Sequence, residues 1–189
     1  MKKIALITGA TSGIGQATAL KAAEAGFEII ITGRREDRLQ QLAAEIRQKG
    51  SEVLSLCFDV RDAEAVKKAI ENLDDKWKNI AVLVNNAGLA VGVSPLQEGI
   101  LDDWERMIDT NVKGLLYVTR AVAPLMIQKN SGHIVNIASI AGKEVYPGGN
   151  VYCATKHAVD ALSRAMRTDM LKHNIKVTNI APGMVETEF

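Results

Sequence analysis

The chain has 189 residues, of which 47% are hydrophobic and 24% are charged. This length and composition are ordinary for a globular protein and predict a single domain over residues 1–189. The formal net charge of +1 lacks the basic excess with which proteins meet nucleic acids and anionic membranes. No apolar run approaches the length of a membrane-spanning helix, so we expect neither nucleic acid nor membrane as a partner.

The two cysteines, Cys57 and Cys153, are too few for a disulfide framework, and no spacing of cysteine and histidine suggests a metal site. The apolar run 4–7, which follows Met1-Lys2-Lys3, is too short for a signal peptide and is better interpreted as a buried strand. The sequence therefore predicts no bound metal and a reducing, cytoplasmic setting.

Apolar, β-branched runs alternate along the chain with longer segments of helical periodicity. The predicted strands are 3–8, 28–32, 53–58, 80–85, 133–137 and 176–180. The predicted helices are 14–25, 36–49, 63–73, 101–128 and 151–173. This alternation indicates the α/β class: a doubly wound, Rossmann-type parallel sheet of at least six strands with helices on both faces.

Three glycines, Gly9, Gly13 and Gly15, connect the first predicted strand to the first predicted helix. Glycine permits a tight turn and a close approach of backbone to ligand, and the N–H groups at a helix start attract anions. The spacing differs from the G-x-G-x-x-G fingerprint. A simple turn of small residues is the ordinary alternative, but the position after the first strand favours dinucleotide binding.

Two arginines, Arg34 and Arg35, follow the second predicted strand. An acidic residue at this place would bind a ribose 2′-hydroxyl, whereas arginine accommodates a 2′-phosphate. Glu36 and Asp37 could instead neutralise both arginines as part of a solvated charge cluster. Cations at a helix start oppose the helix dipole, however, so an arriving anion explains them better, and we predict NADP rather than NAD.

The third and fourth predicted strands also end in polar residues, at the sheet edge where open α/β proteins bind ligands. Asp59 could accept a hydrogen bond from an adenine amino group or could equally cap a helix. Asn85 and Asn86 are turn formers in the ordinary interpretation.

The predicted helix 101–128 has two unusual features. Pro124 should end or kink it nearby, because proline lacks the backbone donor that a helix interior needs. The stretch 104–122 is apolar on more than one stripe, which fits either a helix buried in its own domain or one that also packs on a second subunit. We favour the second interpretation.

Tyr152 and Lys156 are four residues apart in the last predicted helix, and Ser139 lies thirteen residues upstream. Four residues make about one turn, so the two side chains project from one face. The Lys156 ammonium would stabilise a Tyr152 phenolate and lower the pKa of that phenol, and the Ser139 hydroxyl could hold a carbonyl oxygen. These groups could move a proton to or from a carbonyl/alcohol pair, although a chance tyrosine and lysine remain the ordinary alternative.

Together these motifs resemble the short-chain dehydrogenase/reductases. The resemblance is carried by TGATSGIG at 8–15, Asp59-Val60, NNAG at 85–88, Asn111, Ser139, Tyr152-x-x-x-Lys156 and Pro182-Gly183. Within that family, GRREDRL at 33–39, NNAGLA at 85–90 and YPGGNVY at 146–152 are similar to NADP-dependent 3-hydroxy acid dehydrogenases.

The resemblance implies a role for each matching residue. Tyr152 would be the general acid/base, Lys156 would bind the nicotinamide ribose, Ser139 would orient the substrate oxygen, and Asn111 would hold a water in a proton relay. The implied substrate contacts are Ser139 and Tyr152. The cofactor contacts, from the residues and the resemblance together, are Gly9, Thr11, Ser12, Gly13, Ile14, Gly15, Arg34, Arg35, Asp59, Val60, Asn86, Ala87, Gly88, Tyr152, Lys156, Pro182, Gly183, Val185 and Thr187.

The implied function is hydride transfer between NADP(H) and a small hydroxy or keto substrate, such as serine or allo-threonine, in a homo-oligomer, by resemblance a homotetramer. A 3-oxoacyl or other ketone reductase is the alternative within the family, and a non-catalytic NADP sensor or scaffold is the alternative outside enzymes. Family members usually continue for several dozen residues with a seventh strand and a substrate lid, so we expect both to be missing from this sequence.

Overall fold

A computed structural model describes residues 2–188 and contains one six-stranded sheet in which every pair of neighbouring strands is parallel. The strands are β1 (Ile4–Ile7), β2 (Glu28–Gly33), β3 (Val53–Cys57), β4 (Ile80–Asn85), β5 (Gly132–Ile137) and β6 (Ile175–Ile180). The helices are α1 (Gly13–Glu24), α2 (Glu36–Gln48), α3 (Ala63–Glu71), α4 (Leu101–Ile108), α5 (Leu115–Gln128) and α6 (Asn150–Met170).

The central strands are buried on both faces, which explains why they are apolar throughout rather than alternating. In β1, Ile4 and Leu6 pack with α3 and α5 on one face, while Ala5 and Ile7 pack with α1 and α2 on the other. Each face of the sheet therefore has its own apolar core, and the strands hold the two together.

The strand order is β3-β2-β1-β4-β5-β6, so the chain reverses its direction of travel across the sheet between β1 and β4. The loops that leave these two strands diverge to opposite sides and open a crevice at their carboxyl ends. The fold predicted from the sequence is confirmed, and each predicted strand agrees with the structure to within one residue at either end.

Four of the five predicted helices agree with the structure to within three residues, and the fifth, 101–128, is helical over its whole predicted range but is not a regular α-helix throughout. The structure divides that segment into α4, a π-helical stretch Asp109–Gly114, and α5. Pro124 lies inside α5, which continues to Gln128, so the irregularity falls well before the proline. A π turn widens the helix and rotates the apolar stripe of α5 relative to that of α4.

Across residues 2–188, no helix combines the length and the apolar character needed to cross a membrane.

Candidate functional site

The crevice at the carboxyl ends of the strands has a volume of about 500 Å³, which is within the usual range for a small-molecule site. It brings together residues from both ends of the chain, from the glycine-rich turn to the segment after β6. All the site residues predicted from the sequence line it except Gly15 and Asn111, which lie directly behind its wall. Lining residues that the sequence did not single out include Phe58, Leu89, Thr110 and Glu188.

Two glycines of the turn occupy places that no other residue could take without distortion. Gly9 has φ of 62°, in the left-handed region, and a Cβ there would come within 2.8 Å of Ala87 Cα. A Cβ on Gly15 would overlap both Asn86 Nδ2 and the Gly9 carbonyl oxygen. The turn is therefore pressed against the loop after β4, and its backbone is what faces the crevice.

Asn86 and Thr8 join the first and fourth strands at this point. Asn86 Nδ2 donates to the carbonyl oxygens of Thr8 at 2.9 Å and Gly9 at 3.0 Å. Thr8 Oγ1 accepts from the backbone N–H groups of Asn86 and Ala87, both at 3.0 Å. Asn86 thus fixes the turn with its side chain, which is a more specific role than the turn former considered from the sequence.

Arg35 holds the glycine-rich turn from the other side. Its Nη2 donates to Ser12 Oγ and Thr11 Oγ1, both at 3.0 Å, and to the Thr11 carbonyl oxygen at 3.3 Å. The first N–H groups of α1 follow immediately, and such groups have no partner within a helix. A turn of free backbone donors beside a guanidinium suits a phosphate, so these residues fit a dinucleotide.

The Asp59 carboxylate pairs with arginines and does not cap a helix. Arg61 donates to it from Nη2 at 2.7 Å and from Nε at 3.0 Å, and Arg34 Nη1 lies 3.8 Å away. Burial alone would raise the pKa of Asp59, but the hydrogen bonds from Arg61 outweigh it and the pKa is lowered. The helix-cap interpretation is wrong, because Asp62 Oδ1 accepts from Ala65 N and caps α3.

At the other end of the crevice, Tyr152 and Lys156 project from the first turns of α6 towards Ser139, which follows β5. The Tyr152 phenol hydrogen bonds with the Ser139 hydroxyl, and Lys156 Nζ lies 5.7 Å from the centre of the tyrosine ring. Lys156 is only 5% exposed, and its Nζ donates to the Ile137 carbonyl oxygen at 2.9 Å. The spacing of the three residues in the sequence thus corresponds to a cluster in space.

Burial governs both ionisable groups of this cluster. It lowers the pKa of Lys156 from 10.5 to about 8, and it raises the pKa of Tyr152. The hydrogen bond with Ser139 lowers the Tyr152 pKa only in part, while Tyr146 and Cys153 raise it further. The direction is opposite to the lowered pKa predicted from the lysine alone, because spacing in a sequence does not reveal how deeply a phenol is buried.

Asn111 belongs to the π-helical stretch and is 2% exposed. Its Oδ1 accepts from Leu89 N at 2.7 Å, and its Nδ2 donates to Leu89 O at 2.8 Å and to Thr155 Oγ1 at 3.0 Å. Thr155 Oγ1 in turn donates to the Tyr152 carbonyl oxygen at 2.8 Å. Thr155 therefore connects Asn111 to α6, and only its place beside Lys156 could have drawn attention to it in the sequence.

The segment after β6 forms one side of the crevice. The Pro182 carbonyl oxygen accepts from Ile140 N at 3.0 Å, next to Ser139. Farther along, Thr187 lies against the glycine-rich turn. A Cβ added to Gly13 would come within 3.1 Å of the Thr187 Cβ. Pro182, Gly183, Val185 and Thr187 all line the crevice.

Comparison with known proteins identifies the family. The family model for short chain dehydrogenases matches residues 3–189. This chain belongs to the short chain dehydrogenase family. The resemblance drawn from the sequence motifs is thereby confirmed.

Similar members of the short chain dehydrogenase family include two curated proteins and one solved structure. The chain is 49% identical over 187 residues to the NADP-dependent 3-hydroxy acid dehydrogenase YdfG of Salmonella typhi, covering 98% of this chain and 74% of that protein. It is 48% identical over 190 residues to sulfoacetaldehyde reductase 2 of Chromohalobacter salexigens, covering 100% of this chain and 75% of that protein. The closed form of a serine dehydrogenase complexed with NADP+ superposes with a TM-score of 0.92 at 46% identity, covering 98% of this chain and 74% of that one.

Proposed function

We propose that the protein is an NADP-dependent oxidoreductase that interconverts the hydroxyl and carbonyl forms of a small 3-hydroxy acid. The observation that carries the proposal is the meeting, in one crevice, of a glycine-rich turn with the side chains of Ser139, Tyr152 and Lys156. The names of the similar proteins, which include an NADP-dependent 3-hydroxy acid dehydrogenase and a serine dehydrogenase complexed with NADP+, agree with it.

In this proposal the two ends of the crevice bind the two ends of the dinucleotide. The glycine-rich turn and the start of α1 bind its phosphates, Arg34 and Arg35 bind the 2′-phosphate, and Asp59 and Val60 contact the adenine. The nicotinamide end is held by Asn86, Ala87, Gly88, Tyr152, Lys156, Pro182, Gly183, Val185 and Thr187. When bound, NADP(H) supplies the hydride chemistry.

The protein's own part in the reaction is the movement of one proton at the substrate oxygen. Tyr152 gives that proton in carbonyl reduction and takes it in alcohol oxidation, while the Ser139 hydroxyl hydrogen bonds to the same oxygen. The Lys156 ammonium stabilises the phenolate, and Asn111 holds a water that connects Lys156 to solvent. Because burial raises the pKa of Tyr152, the phenol is protonated at neutral pH and is prepared for reduction.

Serine and allo-threonine are the proposed substrates. The second candidate is reduction of a ketone or aldehyde, as in a 3-oxoacyl reductase, and the 48% identity to a protein named sulfoacetaldehyde reductase favours it. Both candidates use the same proton donor, so only the groups around the reacting carbon distinguish them.

Absorbance of NADPH tests these proposals directly. The enzyme is mixed with NADP+ and a panel of small 3-hydroxy acids, and separately with NADPH and a panel of ketones, aldehydes and 3-oxoacyl thioesters. We expect turnover on at least one 3-hydroxy acid. Faster turnover on oxoacyl or aldehyde substrates would favour the second candidate, and tight NADPH binding without turnover on any compound would indicate a sensor or scaffold.

We further propose that residues 1–189 act as one dinucleotide-binding domain within a cytoplasmic homotetramer. The apolar side chains of Ile108 and Leu116, on the stretch favoured from the sequence as an interface, are 41% and 37% exposed and would be covered by a second subunit. Sedimentation equilibrium should give the mass of four chains, and a monomer mass at micromolar concentration would contradict the assembly.

A further inference from the structure

One carboxylate connects two arginines at the adenosine end of the crevice. Glu188 Oε2 accepts from Arg35 Nη1 at 3.1 Å, and Glu188 Oε1 accepts from Arg38 Nη1. Arg35 immediately precedes α2 and Arg38 lies in its first turn, whereas Glu188 comes from the segment after β6. A single oxyanion group therefore takes one hydrogen bond from each guanidinium.

The orientation of Arg35 is set by the glycine-rich turn. Its Nη2 and Nε donate to Thr11, and Nη2 also donates to Ser12, so these atoms face the turn. The remaining nitrogen, Nη1, faces Glu188. Arg38 approaches the same carboxylate from the helix, and guanidinium groups bind carboxylate and phosphate oxygens with the same geometry. The Glu188 carboxylate thus marks a position suited to an oxyanion, immediately beside the turn.

Arg34, which precedes Arg35 in the chain, faces Asp59 instead. Its Nη1 lies 3.8 Å from Asp59 Oδ2, and its side chain is 60% exposed. Hydrogen bonds from Arg38 and from Arg35 lower the pKa of the Glu188 carboxyl, so this internal group carries its negative charge at neutral pH. An incoming phosphate would therefore have to displace the charged Glu188 carboxylate from Arg35 and Arg38. To reach the same phosphate, Arg34 would only have to turn away from Asp59.

We propose that Arg38 and Arg35 together form an oxyanion site that receives the 2′-phosphate of NADP, and that Glu188 is an internal competitor for this site. This inference rests on the proposed NADP dependence and extends it to two residues that determine cofactor specificity. Removing the competitor strengthens binding of phosphorylated ligands alone, and removing Arg38 weakens it. Ligands without the 2′-phosphate do not compete with Glu188, so neither change alters their affinity.

The test uses adenosine 2′,5′-bisphosphate and adenosine 5′-monophosphate, which differ only in the 2′-phosphate and take no part in hydride transfer. Their dissociation constants are measured by calorimetry for the wild type, Glu188→Gln, Arg38→Gln and the double variant. For Glu188→Gln we expect a roughly two- to fivefold tighter bisphosphate complex, the size typical of exposed ion pairs. For Arg38→Gln we expect it roughly tenfold weaker. Monophosphate affinity should stay unchanged in every variant.

The double variant distinguishes competition from a general change in charge. If Glu188 acts through the arginines, its substitution should have a smaller effect when Arg38 is already glutamine. Glu186→Gln is the matched control, because Glu186 is an exposed glutamate of the same segment, and it should leave both affinities unchanged.

Two outcomes separate this inference from the function on which it rests. A wild-type protein that binds both nucleotides equally would overturn the NADP dependence itself. A wild type that prefers the bisphosphate, with that preference unaltered in Arg38→Gln and Glu188→Gln, would overturn the oxyanion site and leave the proposed function standing.

Discussion

The two ends of the crevice are built on opposite principles. At the end that we propose binds the substrate, Lys156 and Asn111 are 5% and 2% exposed and are held by the carbonyl oxygens of Ile137 and Leu89 and by the Thr155 hydroxyl. At the end that we propose binds the adenosine, the side chains of Arg34 and Arg35 are 60% and 41% exposed and pair with Asp59 and Glu188. One end is fixed by packing, and the other is held by charges that can exchange partners.

This difference separates the consequences of mutation. Exposed ion pairs contribute little to stability and are screened by salt, so changes at the arginines should alter ligand affinity and its salt dependence. Buried polar groups carry a desolvation penalty and depend on each partner, so changes at the substrate end should alter the rate and the free energy of unfolding.

Removing the Tyr152 hydroxyl should have the largest effect, and it should be confined to the rate. We expect Tyr152→Phe to lower kcat by roughly a thousandfold, because general acid–base catalysis contributes about that much, while NADPH affinity stays nearly unchanged. Steady-state kinetics and a fluorescence titration with NADPH measure the two quantities. The matched control is Tyr146→Phe, which should keep most of the activity, and near-normal turnover of Tyr152→Phe would exclude the mechanism.

Replacing Lys156 should stabilise the protein while it removes activity. The pKa of Lys156 is about 8 in the folded protein, below the ordinary 10.5 expected in the unfolded chain. Below about pH 8 the lysine is charged in both the folded and the unfolded protein, and burying that charge then costs roughly 3 kcal/mol of stability. Between those values the unfolded chain binds more protons, and wild-type stability rises with pH. Allowing for the lost hydrogen bond to Ile137, we expect Lys156→Met to be about 2 kcal/mol more stable at pH 7.

Urea denaturation at several pH values measures this difference. The advantage of Lys156→Met should shrink as the pH rises from 8 to 10.5, because the wild-type lysine loses its charge in that window. Lys113→Met, at an exposed lysine paired with Asp109, serves as the control and should differ little from the wild type in stability. An advantage that does not change with pH would mean that burial of the charge is not its cause.

Replacing both Arg34 and Arg35 by glutamine should change the choice of cofactor. We expect the double variant to bind NADPH roughly tenfold to a hundredfold more weakly, since hydrogen bonds to charged groups are among the stronger ones, while NADH loses much less. Dissociation constants for both cofactors at low and high salt measure the effect. Arg164→Gln, on α6 and paired with Asp160, is the control, and an equal loss for NADPH and NADH would contradict a phosphate-specific role.

The smallest effect is expected at Thr155. Thr155→Val keeps the shape but removes the acceptor for Asn111 Nδ2, which should reduce the free energy of unfolding by about 1 kcal/mol and kcat by roughly fivefold. Thr155→Ser restores the hydroxyl and should recover both. A pH–rate profile separates positioning from simple loss of structure, because displacement of Asn111 should shift the profile, whereas a merely less stable enzyme would keep it.

Much of the fold and of the site could be predicted from the sequence, for a geometric reason. The buried parallel strands are short β-branched runs between helices, which makes them visible, and the carboxyl ends of parallel strands necessarily meet at one edge. Motifs that follow strands therefore share a crevice, even when they lie as far apart in the chain as Gly9 and Thr187.

The features that could not be predicted depend on contacts or on depth. The pairing of Arg38 with Glu188 joins positions 150 residues apart, and nothing local marks it. The choice of Arg61 as the partner of Asp59 is decided by the turn after β3. The raised pKa of Tyr152 reflects burial that only the assembled crevice produces, whereas the sequence displays the nearby lysine alone.

The π-helical stretch Asp109–Gly114 requires a fixed number of residues between α4 and α5. Surface loops accept insertions and deletions readily, since their residue count is not tied to a precise contact. Losing a single residue within 109–114 would allow one uninterrupted α-helix, which local energetics favour, but it would rotate Asn111 away from Leu89 and Thr155. Among natural and engineered variants, we therefore expect gaps to be absent here even where substitutions are frequent.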